Sequence, residues 1–176
     1  MKNKTLLLII IIVAAFAVVY LVVRPRHVSE TVAVGDTVPD FELVAADNKR
    51  VKLSDLRGSV VLINFWATWC ESCIDEMPSL ENLSRTMSGD ASFRIVTILY
   101  RDTLPTAVDY LRNNGYTFPV YDNPDGSAAR YFGLTGVPET YIIGKKGVLR
   151  EKVIGPAAWD SPGSVQAIRA LTNEPS

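Results

Sequence analysis

The chain has two cysteines, Cys70 and Cys73, both in the stretch "WATWCESC". Two thiols at that spacing admit three kinds of chemistry: a metal site, a structural crosslink, or a dithiol that exchanges with other disulfides. Zinc needs four ligands drawn from cysteine, histidine and carboxylate. The single histidine, His27, lies far upstream of the pair. Copper on two thiolates alone stays conceivable, although a Cu(II)-selective site calls for imidazole, which the sequence downstream lacks. As a crosslink, the pair closes a loop of four residues and so removes little entropy from the unfolded chain. The residues from 28 onward can also bury a core without such a staple.

The elements around the cysteines favour exchange. Residues 59–67, "SVVLINFWA", are β-branched, aromatic and almost continuously apolar. That composition predicts a strand buried on both faces. A helix is expected from about Glu71 to Met87, with Met77, Leu80 and Leu83 on one face. Cys70 then stands at the first turn of this helix, where free backbone N–H groups and the helix dipole favour a thiolate. Cys73 follows about one turn later on the same face and more deeply buried. An accessible attacking thiolate with a shielded resolving thiol is what dithiol exchange requires. Trp66 and Trp69 can pack around the pair, and Glu76, three residues past Cys73, can move protons to or from the resolving thiol.

Further elements follow from pattern and punctuation. Residues 40–45 and 50–53 flank "ADNK" as a hairpin, with a helical turn at 54–58 capped by Ser54. Residues 93–100 form a second central strand, and 104–115 a helix ended by Gly115. A short extended segment at 118–122 precedes a short helix at 126–133. Residues 139–144 and 148–155 flank "KKG" as a second hairpin, and 161–173 close the chain as a helix. A β-hairpin, then βαβα, then a hairpin and a helix implies an α/β fold: a mixed central sheet with helices on both faces.

The composition is unevenly spread. Residues 6–23, "LLLIIIIVAAFAVVYLVV", carry no charge. As a helix they span about 27 Å, close to the apolar thickness of a bilayer. Their length beyond the small-x-small triplet at residues 15–17 favours an uncleaved signal-anchor over a cleaved signal peptide. Lys2 and Lys4 are nearly balanced by Arg24 and Arg26, and the α-amino group tips residues 1–5 to the cytoplasmic side. Residues 24–38 read as a linker and 39–176 as a globular domain outside the cytoplasm, in the periplasm or on the outer face. Residues 28–176 hold 14 basic and 19 acidic side chains, a net of −5, which gives no electrostatic case for binding nucleic acid.

Taken with Pro78, five residues past Cys73, and the distant "GVPET" at residues 136–140, the cysteine motif resembles the thioredoxin-like proteins. The resemblance is closest to membrane-anchored thiol-disulfide oxidoreductases of the ResA, TlpA and CcmG (DsbE) type, which serve cytochrome c maturation. It runs from about Pro39 to the last helix and implies a thioredoxin-like fold, with an N-terminal β-hairpin extension and one transmembrane helix before it. It assigns the attacking thiol to Cys70, the resolving thiol to Cys73, and the cis-proline opposite the disulfide to Pro138. Val137 then matches the residue whose backbone pairs with a bound substrate strand, with Trp69 beside it, and Glu76 matches the acidic residue of a CxxCxxE pattern. The resemblance implies no cofactor and no metal. The partners it implies are the CxxCH disulfide of an apocytochrome c, or another protein disulfide, and a membrane electron donor of the CcdA or DsbD type. The chain departs from the pattern at Asn64, where thioredoxins proper have a buried aspartate, and at Ser72, where a proline is common. A peroxiredoxin is a rival within the same broad fold, but Thr68 precedes Cys70 without the proline of a PxxxTxxC signature. A rival of another class is a tethered binding module, such as a copper-site assembly factor, which uses the same groove only to hold a partner.

Overall fold

The computed structural model describes residues 31–175, together with Val13 and Ala15. Seven strands form one sheet: β1 Glu42–Ala45, β2 Arg50–Lys52, β3 Val60–Trp66, β4 Phe93–Leu99, β5 Val120–Asp122, β6 Glu139–Ile143 and β7 Leu149–Ile154. Their order is β2-β1-β5-β4-β3-β6-β7. β3, β4 and β5 run parallel, whereas β6 pairs antiparallel with β3 and β7 with β6. β1 and β2 add the expected hairpin at the β5 edge. Four helices cover the sheet: α1 Glu71–Thr86, α2 Leu104–Asn113, α3 Ser127–Tyr131 and α4 Pro162–Thr172. The elements match the sequence pattern closely because turn chemistry and hydrophobic period agree along the chain.

Every residue of β3 is buried. Alternation along a strand then sends its side chains to two separate cores. Val60, Leu62 and Trp66 join Met77, Leu80 and Leu83 of α1, Ala107 and Leu111 of α2, and Ile168 of α4. Val61, Ile63 and Phe65 face the other way, towards Phe41, Leu53, Ala128, Phe132 and Tyr141. Helices therefore lie on both faces. The first core holds both cysteines. β3 is the element that aims the site, since it ends one turn before Cys70.

Two local details differ from expectation or extend it. The turn after β2 is a 3-10 helix, Leu53–Leu56, whose N-cap is Lys52, not Ser54. Ser54 instead donates from its N–H and its hydroxyl to Asp40, at 2.8 and 2.9 Å, while Asp55 accepts from the Lys52 N–H at 2.9 Å. An aspartate three residues on satisfies the free donor as well as a serine does. Within the stretch read as a linker, residues 32–38 lie along the domain. Val32 donates to the Tyr131 carbonyl at 2.7 Å, Gly35 to that of Leu149 at 2.8 Å, and Val38 is buried.

Among the described residues no helix is long and apolar enough to cross a membrane. The anchor expected at residues 6–23 lies outside the described residues, apart from Val13 and Ala15.

Candidate active site

β3 and α1 deliver the cysteines. Cys70 is the N-cap of α1, and its sulfur accepts the Cys73 N–H at 3.2 Å, so the sulfur meets the free N–H groups of the first turn. The two residues form a disulfide, with Cα atoms 5.2 Å apart. Cys70 keeps 7% of its surface exposed and Cys73 none. The order of access expected from helical spacing is therefore present, although the bonded Cys70 shows only a small window to solvent. Its sulfur lies 3.5 Å from the Val137 carbonyl oxygen and 3.5 Å from the Ser72 hydroxyl. While the disulfide is closed Cys70 has no proton to give, so the first is a contact that becomes a hydrogen bond only after reduction. The peptide between Val137 and Pro138 is cis. The fold thus brings Cys70, Cys73, Val137 and Pro138 together although 67 residues separate Cys70 from Val137. Trp69, by contrast, is 59% exposed beside them.

Glu76 is not the solvated helix residue its position permits; it is 2% exposed. Alternation along β3 turns Asn64 to the face that α1 covers, and there the Asn64 amide donates to Glu76 at 2.8 Å and to the Thr140 hydroxyl at 2.9 Å. The loop after β7 closes over the carboxylate from the other side: the Ala157 N–H and the Trp159 indole N–H each donate to it at 3.1 Å. Burial raises the Glu76 pKa above its ordinary value, and the donors from Asn64, Trp159 and Ala157 offset that only in part. No cation faces it in this set. The site therefore holds a carboxyl group that takes a proton more readily than a surface glutamate, one helical turn past the resolving cysteine.

A second buried carboxylate was not singled out by sequence. Glu139, directly after Pro138, is 1% exposed and points to the opposite face of the sheet. It accepts from the Thr135 N–H at 3.0 Å, the Thr135 hydroxyl and the Tyr141 hydroxyl, and pairs with Lys152 Nζ at 3.2 Å. Burial pushes its pKa up, but these donors and the ammonium hold it below the ordinary value. Tyr141 is driven far the other way, by burial and by the carboxylate it donates to. The signal for Glu139 was available: in β6 the alternation of Glu139, Tyr141 and Ile143 marks a buried face, so a carboxylate there needs partners. Trp159 carried no comparable signal, since nothing local says that its loop folds over α1. Among the described residues no group of three or more His, Cys, Asp or Glu is placed to hold a metal ion.

Comparison with known proteins agrees with this geometry. Residues 34–152 match the model of the AhpC/TSA family. Over 162 residues the chain is 34% identical to the thiol:disulfide interchange protein DsbE of Pseudomonas aeruginosa, covering 88% of this chain and 86% of that one. It is 31% identical to the thiol-disulfide oxidoreductase ResA of Oceanobacillus iheyensis, over 90% of this chain and 82% of that one. A crystal structure of a Chlorobium tepidum protein provisionally named as a DsbE superposes with a TM-score of 0.71 at 29% identity, over 81% of this chain and 99% of the other.

Proposed function

This chain belongs to the AhpC/TSA family and is a thiol-disulfide oxidoreductase related to DsbE and ResA; from that premise we propose how its residues work and on what. The attacking group is Cys70 and the resolving group Cys73. In the reduced protein the Cys70 thiolate, favoured by the α1 N-terminus, attacks one sulfur of a partner disulfide. One S–S bond forms and one breaks, and the partner's departing thiolate takes up a proton. Cys73 then loses its proton and attacks Cys70 Sγ, which expels the partner's second sulfur as a thiolate that takes a proton from solvent. Two electrons have passed to the partner, the protons on its two new thiols come from solvent, and the Cys70–Cys73 disulfide remains. Glu76, as carboxylate, accepts the Cys73 proton through an intervening water, a task suited to a base whose proton affinity burial has raised.

The observation that carries this reading is the disulfide at a helix N-terminus facing the Val137 carbonyl. A polypeptide laid against the Val137–Pro138 edge brings its own disulfide to Cys70 as an added strand does. We assign the substrate as the CxxCH disulfide of an apocytochrome c, by way of the relatives' likeness. Residues 6–23 serve as the signal-anchor, residues 24–38 as its linker, whose last seven residues pack on the domain, and residues 39–176 as a domain on the extracytoplasmic side. A tether raises the effective concentration of membrane-bound partners, among them the dithiol donor of CcdA or DsbD type that re-reduces the pair.

Replacing Cys73 by serine leaves the attack intact and blocks resolution. The expected result in cells is a mixed disulfide on Cys70 whose partner carries CxxCH. If no disulfide-linked partner accumulates on Cys70 under any growth condition, exchange is not its function; partners without CxxCH would remove the cytochrome assignment alone.

A further inference from the structure

Three consecutive residues after β4 grip the residues that lead into Cys70. The Tyr100 N–H donates to the Trp66 carbonyl at 2.9 Å. The Arg101 carbonyl accepts from the Trp69 indole Nε1–H at 3.2 Å. One carboxylate oxygen of Asp102 accepts from both the N–H and the hydroxyl of Thr68, each at 2.7 Å, and the other accepts the Thr103 N–H at 2.7 Å. Thr103 is in turn the N-cap of α2, so the grip is anchored in a helix end.

Two features mark this as more than loop packing. Arg101 sits at φ 53°, in the left-handed region that side chains other than glycine rarely enter, and that turn presents its carbonyl to Trp69. Burial pushes the Asp102 pKa up, but the donors from Thr68 and Thr103 bring it below the ordinary value, so the grip stays charged at neutral pH. Its product is an unusual surface group: a 59% exposed tryptophan, next to the nucleophile, whose one polar atom is already satisfied within the protein. With its N–H already bonded, the exposed part of the ring is apolar, and the hydrogen bond orients it before any partner arrives. Ordering a side chain in advance removes an entropy cost from binding.

We propose that Arg101 and Asp102 are positioning residues that hold Trp69 as a rigid apolar platform for the polypeptide flanking a partner's disulfide. The clamp thereby favours polypeptide disulfides over small ones. This rests on the reading of Cys70 as the attacking thiol. Small disulfides need only the sulfur, whereas a polypeptide also needs a surface on which to lie.

The test uses the full chain, reduced, with two probes: a synthetic peptide containing an intramolecular CxxCH disulfide, and dithionitrobenzoate. Asp102→Ala should slow reaction with the peptide about ten-fold while changing that with dithionitrobenzoate less than about three-fold. Thr68→Val should slow the peptide reaction by about five-fold, and Thr68→Ser should restore it to within about two-fold of the parent. The Trp69 indole N–H resonance, identified by its loss in Trp69→Phe, should shift and exchange faster with water in Asp102→Ala. Should that variant not fold, Asp102→Asn gives the same direction with a smaller size. Equal slowing of both probes, or an unmoved Trp69 resonance, overturns the clamp. A parent protein that reacts with dithionitrobenzoate but not with the peptide counts against the substrate assignment above, and the clamp is then decided by the Trp69 resonance.

Discussion

Glu76 and Glu139 are both almost fully shielded from solvent, on opposite faces of one sheet, yet their proton affinities move in opposite directions. Burial raises both, more strongly at Glu76, which sits deeper in the protein, and the partners widen the difference. Glu76 faces only neutral donors: an amide, an indole and a backbone N–H. Glu139 has a backbone N–H and two hydroxyls, and it adds the Lys152 ammonium. One carboxylate is made a structural anion beside Pro138, the other a titrating group near Cys73. A site that needs a fixed strand and a movable proton benefits from having both.

The comparison can be broken from the Glu139 side with the largest effect. Glu139→Leu strips Lys152, Tyr141 and Thr135 of their common acceptor, and urea unfolding should show a loss of about 3 kcal/mol. Lys152→Met removes only the cation and leaves the carboxylate with neutral donors, as Glu76 is. A loss of about 1.5 kcal/mol at pH 7 is expected, because Lys152 is partly solvated and the remaining donors persist. Thermal unfolding across pH checks the sign. Glu139 binds its proton less tightly folded than unfolded, so it contributes stability above its ordinary value of 4.5 that is lost as pH falls below it. Glu81 and Asp102 are lowered too, so Lys152→Met should shallow this acid limb and not remove it.

From the Glu76 side the effects are smaller, and their pH dependence is opposite in sign. Trp159→Phe takes away one donor; it should cost about 1 kcal/mol and move the Glu76 titration further upward. Glu76→Gln should change stability at pH 4 by less than about 1 kcal/mol, since Asn64 can turn its amide over and accept from the new side chain. Its effect belongs to higher pH. Glu76 holds its proton more tightly folded than unfolded, so the parent loses stability as pH rises from 4.5 through the raised value, and the glutamine variant should lack that loss. The same variant should flatten the pH dependence of Cys73 alkylation in the reduced protein. Unchanged thiol titrations would remove Glu76 from the proton transfer.

These pairs also show what was legible in the chain. Glu76 was visible as a candidate because it stands one helical turn past Cys73, a local relation. Its burial was not, because that depends on Asn64 arriving from β3 and Trp159 from a loop 83 residues away. Glu139 lay in a quoted motif but was passed over: the pattern of β6 marks its face as buried, while the identity of its partners needs Lys152 from the neighbouring strand. Asp102 carried no signal at all. An aspartate before a threonine N-cap looks like ordinary loop chemistry until Thr68 is set against it.

What the amino-acid order determined alone is everything short in range: the strands and helices, the alternation that splits β3 between two cores, and Cys70 at a helix start with Cys73 one turn on. Backbone geometry and side-chain period act over a few residues, so they can be read along the chain. Only the tertiary structure decided which carboxylate binds its proton more tightly and which less, which carbonyl faces the disulfide, and which loop holds Trp69. Those outcomes are set by distances of about 3 Å between residues far apart in sequence, where hydrogen bonds and desolvation reverse or reinforce each other.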